Sequence, residues 1–98
     1  MPARANRRAV KPTDPDRLLR DLGRRIAELR ADRDRTQEQL AEQLGFTPRY
    51  VQSLEAGQEN LTVKSLATLA DALGVGVPEL FKAPKSRTVR QGRPPRRR

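Results

Sequence analysis

Residues 36–57, TQEQLAEQLGFTPRYVQSLEAG, leave a chain of this kind few ways to fold. Thr36 followed three residues later by Gln39 is a capping-box pair, which places a helix start at Gln37. Leu40, Ala41 and Leu44 share one face of that helix, and Gly45 supplies the left-handed residue that ends it. Thr47-Pro48 then restarts the chain as N-cap and first helical residue. In the helix that follows, about 48–56, Val51 and Leu54 point one way while Arg49, Gln52, Ser53 and Ala56 point the other. That second face is short, polar and free of bulky apolar groups. Such a surface suits a helix that enters a DNA major groove and reaches base edges. An ordinary antiparallel helix pair in some other small bundle is the competing reading.

The flanking sequence supplies three more helices. Thr13-Asp14-Pro15-Asp16 is a start signal, with Thr13 or Asp14 as the cap, and the first helix should run to about Asp32. Leu19, Leu22, Ile26 and Leu29 make one apolar stripe along it. Asp32 to Arg35 is a charged connector. Gly57 closes the third helix, and residues 58–61 form a loop. Thr62 caps a fourth helix with Leu66, Leu69, Ala70 and Leu73 on its buried face, and Gly74 ends it. Gly76-Val77-Pro78 starts a brief fifth helix in which Leu80 and Phe81 are apolar enough to bury. The expected core joins all these apolar residues to Leu40, Ala41, Leu44, Val51 and Leu54. The fold class is all-α: a compact five-helix domain over residues 14–82. A basic arm, 1–13, and a basic tail, 83–98, are both expected to be disordered.

Composition narrows the chemistry. The 98 residues include no cysteine and no histidine, which removes disulfides, thiolate or imidazole metal sites and His-based catalysis. No glycine-rich loop of the phosphate-cradling kind is present. No enzymatic activity, metal, cofactor or small-molecule ligand is therefore expected. No apolar run approaches the ~20 residues of a membrane span. The N-terminus lacks the apolar core of a signal peptide, so a cytoplasmic protein is expected. Of the net charge of +9, residues 1–16 carry +2, residues 17–82 sum to zero, and residues 83–98 carry +7. Affinity for a polyanion must come from local patches on the domain and from the tails.

Gln37, Leu40, Ala41, Leu44, Gly45, Val51, Leu54, Glu55 and Gly57 together resemble the lambda repressor/Cro (Xre-type) helix-turn-helix family. The resemblance extends to LGRRIAELR at 22–30 and to NLTVKSLATLADALGVGVPELF at 60–81, about two-thirds of the chain. It implies a lambda-repressor-like DNA-binding domain acting on double-stranded DNA as a homodimer. It also implies that the acid at Glu55 pairs with Arg30 and orients the recognition helix. Relatives commonly place a leucine where this chain has Arg35. The run from Asn60 to Leu66 is similar to the corresponding segment of restriction–modification controller proteins, which are small dimeric members of the family.

Particular side chains suit particular contacts. Arg49 is the expected base reader, its guanidinium spanning O6 and N7 of a guanine; a phosphate contact is the alternative. Gln52 and Ser53 are further readers, and Ala56 would meet a thymine methyl or remove a contact. Gln37, at the first turn of its helix, can hold a phosphate oxygen or remain a solvated glutamine. In the family, the glutamine at this position holds phosphate and often braces a recognition-helix side chain. Thr47 and Tyr50 suit phosphate contacts through their hydroxyls. Asn60, Thr62 and Lys64 are donors after the motif, where Glu59 is an unfavourable neighbour for phosphate. In the tail, Gly92-Arg93-Pro94 with Arg90 is similar to an AT-hook, although Gln91 replaces the first arginine of its core. A plain electrostatic tail is the other reading.

The expected function is a sequence-specific transcriptional regulator that reads the major groove with its third helix, as a homodimer on an inverted repeat. A repressor and an activator would present the same fold. The rival classes are an architectural, nucleoid-associated DNA binder dominated by its tail, and an antitoxin-like interaction module.

Overall fold

A computed structural model describes residues 11–86, and those residues form five helices and no strand. They are α1 (Pro15–Asp32), α2 (Gln37–Leu44), α3 (Pro48–Glu55), α4 (Val63–Leu73) and α5 (Val77–Leu80). Four starts are fixed by side-chain caps. The Asp14 carboxylate accepts from the amides of Asp16 and Arg17, so Asp14 rather than Thr13 caps α1. Thr36 and Gln39 form the reciprocal capping box at α2. Thr47 and Thr62 accept from the amides of Tyr50 and Ser65 at α3 and α4. Gly45 and Gly74 stop α2 and α4 at φ 74° and 69°, in the left-handed region that only glycine enters without cost.

The amphipathic faces converge on one core of Leu22, Ile26, Leu29, Leu40, Ala41, Val51, Leu54, Leu66, Leu69, Ala70, Leu73 and Leu80. Three expected members sit at its margin. Leu44 and Leu19 are half-buried, and Phe81 is 48 % exposed. Phe81 is the C-cap of the four-residue α5 rather than part of it, so Leu80 is the fully buried residue of that helix and Val77 packs beside it, half-buried. Residues 83–86, grouped with the tail on composition, pack onto α1. Pro84 is buried, and the amides of Lys85 and Ser86 donate to the Glu28 carboxylate at 2.8–3.2 Å.

Arg35, where relatives carry leucine, is half-buried and spans two elements. Its Nη1 donates to the Ala72 carbonyl at 2.7 Å and to the Gln43 side chain. The carbonyls of Ala70 and Asp71 are taken by the amides of Val75 and Gly74. That of Ala72 is thus a helix-end acceptor satisfied from α2 and the connector before it.

Candidate nucleic-acid interface

Every turn of α3 divides between core and surface. Val51 and Leu54 are fully buried, while Arg49 and Gln52 are exposed and Ser53 is half-buried beside them. Arg49 makes no ion pair or hydrogen bond within the described residues, so its guanidinium is free to bind. Ala56, exposed, is the C-cap. The end is sealed by a Schellman arrangement: Gly57, φ 78°, donates to the Leu54 carbonyl and Gln58 to that of Ser53.

The rear of α3 is clamped by charge. Arg30 donates Nε to Glu55 Oε2 at 2.7 Å and Nη2 to Oε1 at 3.0 Å, a bidentate pair. The Arg30 and Glu55 side chains are 17 % and 7 % exposed. Arg30 also donates Nη1 to the Arg35 carbonyl at 2.8 Å. Gln37 Nε2 donates to Glu55 Oε1 at 2.8 Å. Glu55 is thereby held by α1 and α2 at once. Gln37 keeps its second amide N–H, so bracing Glu55 leaves it one donor for a phosphate oxygen.

Close packing sets the depth of α3. A Cβ built on Gly23 would lie 2.4 Å from the Leu54 carbonyl oxygen and 2.6 Å from that of Glu55. One built on Gly57 would lie 2.7 Å from the Cα of Arg20. These two glycines let α1 lie directly on the end of α3. Gly57 is legible in the sequence as a helix stop. Gly23 is missed by that reading, and its signal is an unbroken helical pattern that carries a residue of poor helix propensity.

The remaining predicted contacts fall around α3. Thr47 is exposed at its start, with its oxygen engaged as a cap and its hydroxyl hydrogen available. Tyr50 is half-buried and packs edge-on against Phe46 at 4.8 Å. Asn60 and Lys64 are exposed and unpaired, whereas Thr62 both caps α4 and shares its hydroxyl with Ser65 Oγ at 3.0 Å. Arg90, Gly92, Arg93 and Pro94 lie outside the described residues. Among the described residues no three or more acidic side chains cluster as metal ligands would, and no helix is long and apolar enough to cross a membrane.

A helix-turn-helix family model, HTH_3, matches residues 26–80, more than half of the chain. The chain belongs to this helix-turn-helix family. It is 44% identical over 59 residues to y4dJ of Sinorhizobium fredii, an uncharacterized HTH-type transcriptional regulator; the match covers 60% of this chain and 77% of that one. Its fold is similar to the crystal structure of the restriction-modification controller protein C.AhdI from Aeromonas hydrophila. That match has a TM-score of 0.66 and 36% identity over 70% of this chain and all of the other. The clp gene regulator ClgR from Corynebacterium glutamicum matches with a TM-score of 0.62 and 33% identity, covering 64% of this chain and 67% of its own. The family resemblance of the sequence, including its likeness to controller proteins, is thus met by independent matches.

Proposed function

We propose that this chain is a sequence-specific transcriptional regulator that binds double-stranded DNA as a homodimer on an inverted repeat. In this reading α3 enters the major groove. Arg49 reads a guanine, Gln52 and Ser53 meet neighbouring base edges, and Gln37, Thr47, Tyr50, Asn60 and Lys64 grip phosphates, joined by Thr62 when its hydroxyl turns from Ser65. One observation carries it. The free polar face of α3 stands on a helix held rigidly from behind, by Val51 and Leu54 in the core and by the Arg30–Glu55–Gln37 cluster. Support for the dimer comes from Leu18 and Phe81, 44 % and 48 % exposed, which line a hollow with Leu22, Leu80 and Ala83 and with the charged Asp21 and Lys82. A second copy would cover that apolar edge.

Selection of bound duplexes from a random pool tests both parts. Enriched sites should be inverted repeats with half-site centres about 10 bp, roughly 34 Å, apart. A single asymmetric half-site would overturn the dimer, and absence of any enriched sequence would overturn specific reading. The architectural alternative predicts equal affinity for selected and random DNA at matched salt.

A further inference from the structure

Three arginines of α1 have no role in the scheme above. Arg17, Arg20 and Arg24 recur at spacings of three and four, so they lie on one face of the helix. Arg17 and Arg20 are exposed and Arg24 half-buried. No hydrogen bond or ion pair engages any of their guanidiniums within the described residues. The other arginines of this region behave differently. Arg25 is tied to Glu79, Arg30 to Glu55, Arg33 to the Leu29 carbonyl and Arg35 to Ala72. The same face also carries Asp21, four residues after Arg17, and Glu28, four after Arg24. Glu28 is taken up by the amides of Lys85 and Ser86 and by Arg25, and Ala27 and Ala31 stand on either side of it.

Position gives this stripe a partner. The backbone of Arg20 lies against Gly57, the first residue after the cap of α3, and Gly23 fixes α1 on the last carbonyls of that helix. The stripe therefore stands beside the connection from α3 to α4, where Glu59 weakens the attraction for phosphate. From Arg17 to Arg24 the helix rises about 10 Å, so the stripe is long enough for its guanidiniums to reach more than one phosphate of a strand.

We propose that Arg17, Arg20 and Arg24 form a second DNA-contacting surface, which holds the phosphate backbone flanking the half-site on the side of the α3–α4 connection. The inference rests on the reading of α3 as a DNA-binding helix and adds a strand contact that extends the footprint outward.

The test compares the full chain with R17Q/R20Q/R24Q and R17K/R20K/R24K on two duplexes, one trimmed at the edge of the selected site and one extended by about a helical turn (~10 bp) on each side. The original chain should bind the extended duplex more tightly and with a steeper dependence of log K on log salt. The glutamine variant should lose that flank dependence and ~2–3 units of slope, at ~0.9 per phosphate contact, while the lysine variant keeps both. Its preferred central sequence should be unchanged. An unaltered slope in a folded glutamine variant overturns the proposal and leaves a solvated face or a site for an acidic protein. If the triple variant fails to fold, single R17Q and R24Q variants carry the same test at ~0.9 unit each. If no duplex is enriched in selection, specific reading by α3 fails on its own. The salt slope on random DNA then still decides for or against the stripe.

Discussion

Replacing Gly23 with alanine sets two effects against each other at one position. Alanine is the better helix former by about 1 kcal/mol. Its methyl group would meet two backbone carbonyl oxygens at 2.4 and 2.6 Å, neither of which can rotate away. Overpacking of this kind costs ~1–3 kcal/mol, so the clash wins. Gly23→Ala should lower the melting temperature despite improving propensity, and should weaken DNA binding by moving α1 off the end of α3. A rise in melting temperature would refute this account of the contact. Glu55→Ala acts on the other side of the clamp. It leaves the guanidinium of Arg30 partly buried without its carboxylate, a loss of ~3–5 kcal/mol and so of more than ~10 °C in a domain of this size. Calorimetry reads both. Arg49→Ala should leave the melting temperature within about 2 °C, because the side chain is exposed and makes no ion pair or hydrogen bond among the described residues. It should relax preference at one base pair per half-site by ~1–3 kcal/mol, measured by competition between point-varied duplexes.

The connections between helices show what a sequence makes legible. Thr36 with Gln39, Thr47 with Pro48, and the glycines at 45 and 74 act on amides and carbonyls a few residues away, so their spacing alone announces them. The Arg30–Glu55 pair, 25 residues apart, became readable only through resemblance to a family. Arg35 was legible as a departure and not as a contact, because its partner carbonyl at Ala72 is 37 residues away. The strap at 84–86 was hidden for a different reason. It binds Glu28 through main-chain amides, and a proline-rich basic composition gives no sign of where backbone donors will find a carboxylate. Arg35→Ala should therefore cost more than a surface substitution. Losing a charged donor from the end of α4 removes ~1–3 kcal/mol, seen as a fall of roughly 5–15 °C in melting temperature. A change within ±0.5 kcal/mol would place Arg35 among ordinary surface residues.

Charge is distributed unevenly over the whole molecule. Residues 17–82 carry no net charge, and six of the positive charges lie beyond Ser86. Deletion of residues 87–98 keeps the strap on Glu28 and should flatten the salt slope by several units, at ~0.9 per lost phosphate contact, without altering the selected sequence. A larger loss on A·T-flanked sites than on G·C-flanked ones would mark an AT-hook in the tail, and an unchanged slope would remove the tail from the interface. The eight residues of α3 span about 12 Å, alongside ~3–4 bp of duplex at 3.4 Å each. Four fully specified base pairs distinguish only about 256 sequences, whereas a genome offers ~10⁶ or more competing sites. Ten specified pairs are needed to reach a million combinations. A helix of two turns cannot hold that much information, so on the proposed reading of α3 an address in a genome has to be spelled by two copies of it or supplemented by the shape of the DNA between them.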